Sequence, residues 1–194
     1  MKFEKKELNL ENGLTKEWLI TNGIGGYASS TIVGANTRKY HGLLVAALSA
    51  PGNRKVVVSK IDESVVTGGK EYPIYTNICK NYVAEGYKYL ESFEKDYIHI
   101  FTYQVEGITI KKLICMDYGK NTVCLLYRIQ NQDAETTLKL APLVNFRDFH
   151  SMSTNHHFNI RQDVKDKKVK IVVDQNSQSP LYMHISEGTY IQHL

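Results

Sequence analysis

His99–Asn131 reads HIFTYQVEGITIKKLICMDYGKNTVCLLYRIQN, and its rhythm decides the fold. HIFTYQV turns at Glu106-Gly107 into ITIKKLICM, which turns at Asp117 to Asn121 into TVCLLYRIQN. β-branched and aromatic side chains fit the pleated, half-buried surface of a strand, and Gly, Asn and Asp supply the left-handed backbone of tight hairpins. The theme continues through TTLKLAPLVNF, HHFNIRQDV, KVKIVV, PLYMHIS and TYIQHL, with turns at Lys165 to Lys168 and at Glu187-Gly188. Extended runs this close together favour hairpins over alternating β and α units, so the pattern predicts an all-β, antiparallel sandwich.

Upstream, Trp18 to Thr21, Ser30 to Val33, Gly42 to Ala47 and VVVSKIDESVVT are strand candidates, and a Gly68-Gly69 turn leads into Lys70 to Ile74. Helical periodicity is weak, and its best short candidate, near Glu85 to Phe93, is as easily a looping aromatic stretch. There is no internal repeat, low-complexity tract or interdomain linker, so residues 1–194 are expected to form a single β-sandwich domain.

Hydrophobic content of 42% and charged content of 23% belong to a globular chain rather than to a disordered or membrane class. The uncharged stretch near Gly42 to Asn53 is far shorter than the roughly 20 apolar residues of a membrane span. The charged start MKFEKKELNLENG is no secretory signal, and a cytoplasmic location is expected. Cys79, Cys115 and Cys124 are odd in number and lack CxxC spacing, which argues against a disulfide framework and a structural zinc site and suits free thiols. A net charge of +4 is too mild to indicate nucleic acid. Tyrosine, with 13 copies, suits both sugar-binding surfaces and strands that face solvent.

Two segments concentrate chemistry. Trp18–Val45, WLITNGIGGYASSTIVGANTRKYHGLLV, packs glycines into a turn and then delivers Asn36, Arg38, Tyr40 and His41; no Asp or Glu occurs between Glu17 and Asp62, while five Lys or Arg do. If the segment is extended, Asn36, Arg38 and Tyr40 share one face, an amide, a guanidinium and a phenol able to engage sugar hydroxyls. An equally good reading of the residues pairs Arg38 with a carboxylate and spends the others on turn backbone. Arg147, Asp148, Phe149 and His150 form the second cluster at a strand end, where Asp148 can orient Arg147 or His150 as part of a pocket wall; a simple strand-end salt bridge is the alternative. The two clusters are expected to meet on one rim of the sandwich.

Other motifs fall away. Gly23, Gly25 and Ala28 fit a dinucleotide fingerprint, but a β-prone run follows where a helix should start, and the next acid is Asp62. Positive-φ turns or close backbone approach explain those glycines better. His150, His156 and His157 lack HExxH or HxH spacing, so no metal is expected.

EWLITNGIGGYASSTIVGANTRKYHGLLVAAL, VVVSKIDESV, GYKYLESF, FTYQVEGITIKKLICMDYGKNTV and APLVNFRDFHSM, in that order, resemble the amino-terminal domain of the bacterial and archaeal type of glycogen debranching enzyme, the amylo-alpha-1,6-glucosidase family. The resemblance implies a supersandwich of the galactose mutarotase-like type that precedes helical barrels in several glycoside hydrolases. It places the hydrolytic carboxylates in a carboxy-terminal (α/α)6 barrel, for which this chain has no helical pattern. Glycoside hydrolysis uses a positioned carboxyl pair, and spacing pairs none of Asp62, Glu63, Asp148 or the acids of Glu91 to Asp96.

The implied role is therefore a non-catalytic domain that packs on the barrel and helps to shape an α-glucan site for hydrolysis of α-1,6 branch points, within a parent chain that continues past Leu194. The resemblance tips Asn36, Arg38, Tyr40, His41, Arg147, Asp148 and His150 toward substrate binding, with no catalytic residue, metal or cofactor. The expected partners are glycogen or branched maltodextrin and the barrel of the same protein, with no nucleic acid and no membrane. The rival is a free-standing carbohydrate-binding or scaffold β-domain without activity.

Overall fold

The computed structural model describes residues 1–132, 135–152, 159–173 and 178–191. The chain divides into two compact units, Met1–Ser151 and Met152–Leu194. The larger is an antiparallel β-sandwich. One sheet has the order β1 (Lys2–Glu4), β9 (Leu90–Glu94), β10 (His99–Val105), β11 (Ile108–Met116) and β12 (Val123–Gln130). The other runs β13 (Thr136–Asp148), β5 (Gly52–Thr67), β4 (Gly42–Ser49), β3 (Tyr27–Thr31) and β2 (Glu17–Thr21), with β6 (Lys70–Pro73) also pairing with β5. A small hairpin joins β7 (Thr76–Cys79) to β8 (Tyr82–Glu85).

Alternation along the strands builds the core. On β10, His99, Phe101, Tyr103 and Val105 are buried while Gln104 is exposed. The ring of Trp18 on β2 meets His99 at 5.3 Å and Phe101 at 6.2 Å, both edge-on, and Phe93 packs 4.5 Å from Phe101. Val45, Val56, Val65, Leu90, Ile110 and Ile114 fill the remaining space. Each such side chain contributes about 1.5–3 kcal/mol relative to exposure.

One polar link crosses this apolar layer. Glu63 of β5, 3% exposed, lies 2.5 Å from Lys112 Nζ of β11 and accepts a 2.8 Å hydrogen bond from the Tyr127 hydroxyl of β12. Burial, reinforced by the Glu63 charge, pushes the phenols of Tyr127 and Tyr103 well above their ordinary value.

The β5–β13 pairing is long and irregular. Val144 lies opposite Val58 and the next partner pair is Arg147 with Val56, so the backbone bulges at Asn145 and Phe146. Asn145 Oδ1 accepts from the backbone N–H groups of Phe146 and Arg147 at 2.8 and 3.1 Å, holding the bulge that aims Arg147. The smaller unit is a three-stranded antiparallel sheet, β14 (Ile160–Lys165), β15 (Lys168–Val173) and β16 (Leu181–His184), with Val169, Ile171 and Val173 buried.

Two strand expectations are corrected, and the open stretch near Glu85 to Phe93 is decided. The Ser30 to Val33 strand lies earlier, at Tyr27–Thr31, because Gly34 N–H bonds back to Thr31 C=O at 3.0 Å and turns the chain. Residues 189–191, the described part of TYIQHL, form no strand. Glu85 to Phe93 is a single 3-10 turn, Gly86–Tyr89, followed by β9. Gly86 is tucked so close to the link between β6 and β7 that a Cβ there would lie 2.3 Å from the backbone of Ile74 and Tyr75. Among the described residues no helix is long and apolar enough to cross a membrane.

Candidate functional site

The outer face of β2 and β3 forms the floor of an open depression of about 540 Å³. Trp18 points inward on β2, so Glu17, Leu19 and Thr21 point outward, and Tyr27 and Ser29 of β3 lie beside them. Gly23, Gly25 and Gly26 form one wall, and Arg38, Tyr40, His41 and Arg54 complete the lining.

The segment from Asn36 to His41 is a turn, not the extended run that would put Asn36, Arg38 and Tyr40 on one face by alternation. His41 N–H donates to Arg38 C=O at 3.0 Å, and His41 Nδ1 accepts from Thr37 N–H at 3.0 Å and Arg38 N–H at 3.4 Å. With Nδ1 committed as acceptor, the neutral ring carries its proton on Nε2. Nε2 sits 3.3 Å from Glu17 Oε1. The same oxygen takes Arg38 Nε at 2.6 Å, leaving the Arg38 side chain 64% exposed. Arg38 thus does pair with a carboxylate and yet remains on the open surface. Asn36 is the structural member: its amide accepts from Ser30 Oγ at 2.7 Å, donates to Ser59 C=O at 2.8 Å, and borders a small interior cavity instead of the depression.

The second cluster reaches the first. The Arg147 guanidinium donates to Lys39 C=O and, at 2.8 Å, to Ser151 C=O. Lys39 Nζ donates to His150 C=O at 2.8 Å, and the Tyr40 hydroxyl lies 3.3 Å from His150 Nδ1. Phe149 packs 5.6 Å from the Tyr40 ring while Arg54 covers its other neighbourhood at 4.6 Å. Asp148 orients neither Arg147 nor the His150 ring: it accepts from His150 N–H at 2.9 Å and lies 3.5 Å from Lys55 Nζ. That backbone donor first, then Lys55, holds its carboxyl below the usual range. Segments 36–41 and 147–150 therefore share one rim. Arg38, Tyr40 and His41 line the depression; Arg147, Asp148 and His150 stand behind Tyr40 and brace it.

The glycine wall is held from the β11–β12 turn. Asn22, fully buried, accepts on Oδ1 from Ile24 and Gly26 N–H at 3.1 and 2.9 Å, and donates to Lys120 C=O and Asn121 Oδ1 at 2.9 and 3.1 Å. Gly23 and Gly25 adopt φ of +79° and +97°, and Cβ atoms there would strike the Tyr118 ring and the Pro51 backbone. Turn geometry and close approach account for the fingerprint-like spacing.

Sequence reasoning missed Glu17, Tyr27, Arg54, Asn22 and Asn121. Glu17 carried a signal, as the last acid before the acid-free window, but only the β2–β3 pairing shows which cations it meets. Among the described residues no three His, Cys, Asp or Glu are grouped to hold a metal ion; His156 and His157 lie outside the described residues.

The match of a family model described as glycogen debranching enzyme N terminal extends over residues 16–193, almost the whole chain. The chain belongs to the glycogen debranching enzyme N-terminal family. No curated protein and no solved structure matches it. The matched span contains both rim segments, the glycine wall and every residue that lines the depression.

The site sits beside an acid-sensitive core. Burial lowers the pKa of His41, with Glu17 opposing, and lowers that of His99, which packs among Trp18 and Phe93 with Asp96 opposing. Both rings are neutral when folded, so their contribution is present above about pH 6.5 and is lost as pH falls through the depressed folded values. Urea unfolding should show stability falling between about pH 7.5 and pH 5, with a shallower fall in His99→Phe. An unchanged slope in that variant would remove His99 from the explanation.

Proposed function

We propose that this chain is the non-catalytic amino-terminal domain of a glycogen debranching enzyme, packing on a catalytic barrel of the same protein and presenting the depression over β2–β3 as part of the α-glucan site. The observation that carries this reading is the convergence of two loops, more than a hundred residues apart in sequence, beside an open depression. The exposed Arg38 and the neighbouring Arg54, Tyr27, Tyr40 and Glu17 offer donors, acceptors and aromatic faces suited to a hydroxyl-rich ring.

Two further observations support it. The acids of β2 and β5 are occupied: Glu17, which lines the depression, by Arg38 and His41, and away from it Glu63 by Lys112 and Tyr127, and Asp62 by Lys60 at 3.2 Å and Asn77 at 2.8 Å. Such acids suit structure and binding better than a general acid and base pair. The edge strands β12 and β13 also contain no buried residue and expose Leu126, Ile129, Leu140 and Leu143, apolar area that a packed partner domain would cover.

Titration with maltoheptaose, followed by backbone amide shifts, tests the binding role. Shifts should concentrate at Gly23–Tyr27 and Arg38–His41, and Arg38→Ala or Arg54→Ala should weaken binding about tenfold, the loss of one or two good polar contacts. Arg38→Ala should leave stability within about 1 kcal/mol, because an exposed ion pair contributes little. The same protein should release no glucose from a branched limit dextrin. Binding that ignores both arginines, or turnover abolished by one Asp or Glu change in this chain, would overturn the reading.

A further inference from the structure

The β11–β12 hairpin, whose turn grips the glycine wall, carries two cysteines placed face to face. Cys115 lies directly opposite Cys124 in the antiparallel register. Directly opposed residues point to the same face with Cα atoms about 4.5–5.5 Å apart, within the roughly 4.4–6.8 Å that a disulfide requires. The Cys115 thiol interacts with that of Cys124, and both are free. The pair closes the base of the turn: Asp117 N–H donates to Thr122 C=O at 3.1 Å just beyond it. From that turn Gly119 N–H donates to Asn22 C=O at 2.7 Å, Tyr118 covers Gly23, and Asn121 holds Ala47 and Asn22.

We propose that Cys115 and Cys124 are a reversible, peroxide-responsive dithiol whose cross-strand disulfide clamps the hairpin that holds the Gly23–Gly26 wall. The two thiols have different access. Cys124 is exposed, whereas Cys115 is half-buried, and burial first, then Cys124 and Asp117, pushes its thiol up. Cys124 is accordingly the sulfur that meets oxidant: its thiolate attacks hydrogen peroxide, the O–O bond breaks, and a sulfenic acid and hydroxide form. Cys115 sulfur then attacks the sulfenic sulfur; the S–O bond breaks, the S–S bond forms, and oxygen leaves as water with the Cys115 proton. Overall, two thiols and one peroxide become one disulfide and two waters. Low-molecular-weight thiols reverse the step by exchange. Cys79 supplies an internal control, since it is exposed but has Tyr82 opposite it. The proposal does not depend on what the depression binds.

The test is oxidation of the whole protein with hydrogen peroxide, followed by peptide mapping and mass spectrometry. A Cys115–Cys124 crosslink is expected, with a loss of about 2 Da that dithiothreitol restores. Prior treatment with phenylarsine oxide, which bridges neighbouring thiols, should block it, and Cys79→Ser should leave it unchanged. Amide exchange at Gly119 and Ala47 should slow about tenfold in the oxidised form, since local opening then has to strain a closed hairpin. Sulfinic acid on Cys124 without the crosslink, disulfides formed only between molecules, or equal exchange in the two forms would overturn the proposal.

Discussion

Lys112→Met should destabilise the protein by about 3–5 kcal/mol, because it strands a buried carboxylate between the two sheets. Glu63 is 3% exposed and its ion-pair partner Lys112 is 12% exposed, so water cannot replace the lost ammonium. Tyr127 remains as a hydrogen-bond donor, but one neutral phenol does not offset the desolvation of a full charge. The double variant Glu63→Gln with Lys112→Met should recover much of the loss, since a buried pair contributes far less than the penalty for breaking it. Urea unfolding of the two variants checks this. A single variant as stable as the parent would mean that the inter-sheet cluster admits solvent, and the sandwich interior described above would need revision.

Asn121→Ala should destabilise by about 2–4 kcal/mol and loosen the glycine wall at the same time. Its amide donates to Ala47 C=O at 2.9 Å and accepts from Ala47 N–H at 3.0 Å and Asn22 Nδ2 at 3.1 Å. Ala47 is 3% exposed and Asn22 fully buried, so truncation leaves backbone and amide groups without partners where water has little access. The expected signature is local as well as global: amide protection should fall at Gly26 and Ala47 more than in β9 or β10. If maltoheptaose binds over this wall, its affinity should fall too, although Asn121 does not line the depression. Uniform loss of protection, with no preference for Gly26, would show that the hairpin stabilises the sandwich without specially holding the wall.

Much of the fold was legible because strands write their burial into period-two patterns. ITIKKLICM is β11 residue for residue, and the Glu106-Gly107 turn appears with φ of +47° and +78°. KVKIVV is β15 as expected. The β7–β8 hairpin was not legible: TNICKNYVAE is short and half-polar, with Ile78, Tyr82 and Val83 exposed, so no buried face marks it. The residues of Asn36–His41 left an extended face and a turn equally open, because alternating polar residues suit both; the His41 ring, which gathers the backbone N–H groups of Thr37 and Arg38, makes it a turn.

What the sequence determined by itself is the class of the fold and the family, since β-branched runs, hairpin turns and ordered long segments are local features that survive without knowing any contact. It also singled out Arg38, Tyr40 and His41, which line the depression, but not Glu17, Tyr27 and Arg54, which line it with them. Only the tertiary structure decided what each does: that Arg38 is paired to Glu17 yet exposed, that Asn36 is structural, that Arg147 braces Lys39, and that Cys115 faces Cys124. Those assignments depend on strand register and on a bulge at Asn145 and Phe146, where a one-residue slip would turn every side chain to the opposite face. Register is set by the summed packing of both sheets, which no local stretch of sequence contains.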